Sequence, residues 1–241
     1  MNKYTAKLWG PRAVPGISRG LLAGLAVLSV AGLAFGQNRS HINKEELTFS
    51  PITSPAAPDL ITPPLGNSPF LVGHAKGTQG YVCLPSPSGP SWTVNNARPE
   101  ATLVTRAFGE PVQIITHFLS PVENPIIPPS PNPPRFGDAT WQSSFDSSKV
   151  WAQKQHFITA GTDRSCPNSG AIDCLLLQVI GSAEGPAGGK SLTKTTFIQR
   201  LNTDGGSAPA TGCALPGDVG KQALVPYSAD YFFFRSDETR R

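Results

Sequence analysis

The sequence predicts an all-β protein: a single antiparallel β-sandwich or barrel-like domain with long Pro/Gly-rich loops, stapled by disulfides. Three observations carry this expectation. Gly (24) and Pro (25) together make about a fifth of the 241 residues, which favours many turns and argues against long helices. From Phe70 to Arg235, runs rich in β-branched and aromatic residues alternate with Gly/Pro/Asn/Asp/Ser clusters. Four cysteines, an even number, follow an export-type leader.

The leader comes first. Lys3, Lys7, Arg12 and Arg19 precede an uncharged run, Leu21 to Phe35, and Ala34-Phe35-Gly36 supplies small residues before Gln37. A basic lead-in, a short apolar core and a small-residue cleavage point make residues 1–36 a signal peptide. The core is too short for a spanning helix, which needs about 20 apolar residues, so no transmembrane anchor is expected after cleavage. The protein is expected to be secreted or periplasmic. Without the leader's four cations, 16 Lys+Arg face 16 Asp+Glu, and only Arg240-Arg241 are adjacent. That scattered, balanced charge excludes nucleic acid, which demands clustered cations.

Residues 37–69 read as a Pro-rich N-terminal arm, punctuated by Pro51, Pro55, Pro58, Pro63, Pro64 and Pro69 and suited to extended backbone laid along the domain. The β domain spans 70–235, and 236–241 form a C-terminal tail. Strands are expected at Phe70–His74, Gln79–Leu84, Trp92–Asn95, Ala101–Arg106, Val112–Phe118, Thr140–Phe145, Val150–Ile158, Leu175–Ile180, Thr193–Leu201 and Ala229–Arg235. Val150–Ile158 reads as half-buried with mixed faces. Leu175-Leu176-Leu177 with Val179-Ile180 reads as a strand covered on both sides. Pro121–Pro134 holds seven prolines and cannot be a paired strand.

Cys83, Cys166, Cys174 and Cys213 can be paired in three ways. The favoured reading joins Cys166 to Cys174 as a local staple and Cys83 to Cys213 as a long closure. Zinc is the rival, but there is no CxxC and no histidine at ligand spacing.

Motifs of chemistry are scarce. Gly185 to Ser191 imitates a phosphate-binding loop, but the required first glycine falls on Glu184 and a strand follows instead of a helix, so it reads as a hairpin loop. There is no dinucleotide fingerprint, serine elbow or zinc-protease motif, and no cofactor is expected. Asn202 to Gly206 reads as a turn signal. Of four dispersed histidines, His74 and His117 are the metal-ligand candidates. Catalytic candidates are His117 with Asp146, Glu110 or Arg200. Trp92, Trp141 and Tyr81 are candidates for stacking on a ligand.

The order of several motifs carries a resemblance. Gln79-Gly80-Tyr81-Val82-Cys83 precedes Pro99-Glu100-Ala101-Thr102-Leu103, followed by His117, Trp141 and Asp146-Ser147-Ser148-Lys149-Val150. Then come Leu175-Leu176-Leu177, the block from Ile198 to Pro209, Cys213, and Pro226 to Phe233. This series resembles the domain of unknown function (DUF) 3455 family of exported bacterial and fungal proteins, from about Pro69 to Arg235. The resemblance implies an exported β domain with Cys83 bonded to Cys213, and implies no activity. Two departures stand out: the proline-rich stretch after Phe118, and Cys174 where a tryptophan is usual.

The expected function is therefore a non-catalytic binding or surface/envelope-associated module, with a glycan or cell-envelope component as ligand. The alternative is a secreted enzyme with a fold-assembled His/acid site, in one form metal-dependent.

Overall fold

The structure, a computed structural model, describes residues 52–94, 100–107, 109–120 and 138–240. The leader, residues 37–51 of the arm, Asn95 and the proline-rich segment 121–134 lie outside the described residues.

Among the described residues nine strands form: β1 (Asn67–Leu84), β2 (Ser91–Thr93), β3 (Glu100–Ala107), β4 (Glu110–Ser120), β5 (Asp138–Ser143), β6 (Lys149–Ile158), β7 (Cys174–Ala183), β8 (Thr195–Gly205) and β9 (Gln222–Ser236). All pairings are antiparallel, and β9 pairs back onto β1 from Asn67↔Ser236 to Val82↔Gln222. The sheet therefore closes. Strands β1 and β3 to β9 make an eight-stranded up-and-down barrel, and β2 extends its rim by pairing with Val82–Leu84. Closure removes the edges an open sheet would expose.

Two expected strands, Phe70–His74 and Gln79–Leu84, are one 18-residue strand. The glycines that break the pattern between them serve close packing instead. A Cβ at Gly77 would lie 1.9 Å from the Glu100 carbonyl oxygen, so glycine lets β1 bend against β3. The strand expected over Thr193–Leu201 begins at Thr195 and runs on to Gly205, with a bulge between Leu201 and Asp204 where Asn202 takes φ 51°. The turn expected over Asn202 to Gly206 is strand as far as Gly205, and the chain turns only where Gly205 and Gly206 take positive φ. Phe145, expected at the end of β5, sits in the turn after it and is exposed.

In β6 burial divides along the strand rather than between its faces. Val150, Trp151 and Ala152 are all buried, while Gln153 to Phe157 are exposed. Bulges after Trp151 and Lys154 shift the alternation, which is why the expected faces do not hold. The leucine run of β7 is covered on both sides as expected.

The period-two alternation sorts side chains into two layers. Leu103, Ile115, Val150, Ile198 and Phe233 fill the barrel interior, closed at one end by Leu192. Outside the β7–β9 wall a second cluster gathers Leu176, Leu201, Phe232 and Phe234 under Ile61. Ile61 belongs to the arm, in a 3-10 turn that spans Asp59–Ile61. Gln199 fixes the arm there: its Nε2 donates to the Ile61 carbonyl at 2.8 Å, and it accepts from Ser54 Oγ at 2.5 Å. On β1 and β9 further outward positions carry His74, Lys76 and Asp230. Among the described residues no helix is long and apolar enough to cross a membrane.

Both disulfides form as favoured, Cys83–Cys213 with Cα atoms 5.5 Å apart and Cys166–Cys174 at 5.9 Å. Such bonds persist in oxidising compartments.

Candidate functional site

The barrel interior is packed at the Leu192 end and open at the other. The open end holds a cavity of about 470 Å³. Its wall is built where inward-facing positions turn polar or aromatic: Gln79 and Tyr81 on β1, His117 and Leu119 on β4, Trp141 on β5, Arg200 on β8 and Tyr231 on β9. Lys154 and Asp173 add charge.

His117 is 3% exposed and lies flat on Trp141, ring centroids 4.1 Å apart. Its Nδ1–H donates to the Thr140 carbonyl at 2.9 Å, which leaves Nε2 as an acceptor. Burial, with the Arg200 charge adding to it, lowers its pKa to about 4, so the ring is neutral at physiological pH. Tyr231 tilts against both rings, 5.7 Å from His117 and 6.0 Å from Trp141, and its hydroxyl meets that of Tyr227 at 3.1 Å. Tyr81 donates to the Gly206 carbonyl at 2.6 Å, and burial raises its pKa.

Arg200 is 9% exposed. Its Nε and Nη2 both donate to the Asp173 backbone carbonyl, at 3.1 and 2.7 Å. Trp141 and Trp151 each bury an indole N–H with no acceptor among the described residues. A buried donor left unpaired is costly, and of the two only Trp141 lines the cavity.

The fold thus brings together four residues singled out from sequence, His117, Arg200, Trp141 and Tyr81. It separates the others. Asp146 lies in the β5–β6 turn at the closed end, where its carboxylate accepts from Ser148 and Ser191 backbone N–H and hydroxyl groups. Those bonds hold its carboxyl well below the usual range. They also account for the phosphate-loop imitation, since Ser191 and Gly189 close onto Asp146. Glu110 is exposed at the start of β4, and His156 is exposed on β6. His74 faces outward and pairs with Asp230 at 2.6 Å, on the opposite side of the wall from His117. Trp92 pairs with Cys83 across β1–β2, and its indole N–H donates to the Thr211 carbonyl at 3.0 Å. Among the described residues no three His, Cys, Asp or Glu side chains gather as a metal site.

Sequence reasoning missed Gln79, Lys154, Asp173 and Tyr231. The signal for two of them was present: Gln79 shares parity with Tyr81, and Tyr231 with Tyr227 and Phe233, so each faces inward with them. Asp173 sits in a loop and Lys154 beside a bulge, where alternation carries no information.

The model of the family described as protein of unknown function (DUF3455) matches residues 64–235. No curated protein and no solved structure matches the chain.

Proposed function

The chain belongs to the DUF3455 family, whose description assigns no activity, and we propose that it is an exported, non-catalytic binding module that holds one small organic molecule in the open end of its barrel. The observation that carries this reading is the cavity of about 470 Å³ lined by Trp141, Tyr231, Tyr81, Arg200 and His117. Ligand sites fall at roughly 300–1,000 Å³, mostly apolar with a few placed polar groups, and the mouths of β-barrels are a preferred position. Eight strands is the size at which a barrel either fills with side chains or holds one small ligand.

The site is a recess in the barrel's open end rather than a flat aromatic platform, which favours a small molecule or the end of a larger one over the face of a polymeric glycan. The enzyme alternative is weaker on acid–base grounds. A catalytic base works best with a pKa near the working pH, and His117 sits at about 4. Asp146 and Glu110 lie outside the cavity.

Titration of the oxidised protein with 1-anilinonaphthalene-8-sulfonate, read by tryptophan fluorescence and calorimetry, tests the reading. Saturable one-to-one binding that Leu119→Trp abolishes by filling the cavity supports it. Absence of saturable binding, or binding unchanged in Leu119→Trp, overturns it.

A further inference from the structure

We infer that the barrel's ligand carries a carboxylate or similar oxoanion, and that Arg200 is the residue that receives it. The inference rests on the binding-module reading and adds the chemical class of the ligand.

A buried guanidinium favours an anion, because a neutral acceptor recovers only part of the hydration its charge gives up. Arg200 is 9% exposed, and the acceptor it has is neutral, the backbone carbonyl of Asp173. Among the described residues no carboxylate lies within ion-pair distance of it. Nε and Nη2 take one side of the guanidinium fork to that carbonyl. Nη1 makes no hydrogen bond among the described residues, so the end-on edge, Nη1 with the second Nη2 hydrogen, is left for a ligand. Two parallel N–H groups on a planar fork match the two oxygens of a carboxylate.

The surroundings agree in sign and shape. Lys154 and Arg200 give the cavity two cations against the single carboxylate of Asp173, with His117 neutral. The stacked His117–Trp141 pair, with Tyr231, a β-ladder neighbour of Arg200, tilted across it, gives the wall aromatic surface. Leu119, Ala139 and Leu175 supply apolar surface. An apolar aromatic body ending in a carboxylate matches the aromatic and aliphatic lining and the unused edge of Arg200. The Asp173 carbonyl acts as the positioning partner: it pins one edge of Arg200 and turns the other toward the cavity.

The test compares 2-naphthoate with its neutral isostere 2-naphthamide, using the full oxidised chain and calorimetry. We expect naphthoate to bind one-to-one and about tenfold or more tighter than the amide, the scale of a charge-assisted hydrogen bond. Arg200→Gln should abolish that preference, and Arg200→Lys should retain part of it. Lys154→Gln should weaken it only in part, because an exposed, solvated ammonium adds attraction without fixing the two carboxylate oxygens. Because Arg200→Gln removes a buried side chain, circular dichroism confirms its fold; if it does not fold, the wild-type preference together with its persistence in Lys154→Gln decides. Equal binding of acid and amide overturns the anion inference and leaves the binding-module reading standing. Complete loss of preference in Lys154→Gln overturns the assignment to Arg200. Binding of neither probe, and none of anilinonaphthalene sulfonate, overturns both readings.

Discussion

His117 and Trp141 stack with ring centroids 4.1 Å apart and planes within 9°, and the imidazole of this stack is buried and neutral. The imidazole is neutral because burial, against the pull of the Thr140 carbonyl, lowers its pKa to about 4. In the unfolded chain it returns to about 6.5. Above pH ~6.5 both states are neutral, and the stability contributed by the buried neutral ring is fully present. As pH falls from about 6.5 to about 4, the unfolded chain takes up a proton that the folded one refuses, and roughly 3 kcal/mol is lost. His117→Gln should therefore show a smaller fall in Tm between about pH 7 and pH 4.5 than the wild type. An identical fall in both proteins would mean that His117 is not held neutral.

Trp141 is 1% exposed, yet its indole N–H has no acceptor among the described residues. Removing the ring and removing the donor should thus have unequal effects. Trp141→Ala should cost about 3–5 kcal/mol, as large aromatic deletions from cores do. Trp141→Phe keeps the stack and removes an unpaired donor, and should cost no more than about 1.5 kcal/mol. Denaturant melts of both variants check this, and equal losses would reveal a satisfied N–H.

Much of the fold was legible because β-strands announce themselves by composition and punctuation. What the sequence hid was closure. Pairing of β1 with β9 joins residues about as far apart as Asn67 and Ser236, and no local pattern encodes such a long-range ladder. The same fact explains the site. His117, Trp141, Arg200 and Tyr81 were visible as residues that could do chemistry, but only the curvature of a closed barrel points them at one another. His74, Asp146 and Glu110 carried equal weight in the sequence, and fell to the outer wall, a turn and a strand start because parity and loop position decided for them.

Asp146 should be structural. It accepts from Ser148 N at 3.1 Å, Ser148 Oγ at 2.8 Å and Ser191 N at 2.9 Å, and from Ser191 Oγ. Asp146→Ala should cost about 1–2 kcal/mol, discounted for partial solvent screening, without changing naphthoate affinity. The contribution of the carboxylate is present above its unfolded pKa of about 3.9 and is lost as pH falls below it, so wild type and variant should converge in strong acid. Gly189→Ala should mimic the loss, because its Cβ would lie 2.4 Å from Asp146 Cβ.

Ile61 ties the arm to the outer wall and is fully buried. Ile61→Ala should cost about 2–4 kcal/mol, a typical buried isoleucine deletion. Urea melts measure it, and a loss under about 0.5 kcal/mol would mean that the arm is not part of the cooperative unit.

The two disulfides should separate stability from recognition. Cys83–Cys213 closes a sequence separation of 130 residues and Cys166–Cys174 one of 8. On loop entropy alone the first contributes roughly 5 kcal/mol and the second about 2.5, both upper values. Replacing both cysteines of a pair with alanine should lower Tm further for the long closure. Ligand preference should follow the opposite order. Asp173 is the immediate neighbour of Cys174, and its carbonyl is what holds Arg200 by Nε and Nη2. Freeing the loop 166–174 lets that carbonyl move, so the Cys166→Ala/Cys174→Ala protein should lose most of its preference for naphthoate over naphthamide. The Cys83→Ala/Cys213→Ala protein should weaken both probes alike, because Ser207 and Ala208, near the freed Cys213, line the wall without addressing charge. If the preference instead follows Tm across the two variants, the short disulfide has no special hold on Arg200.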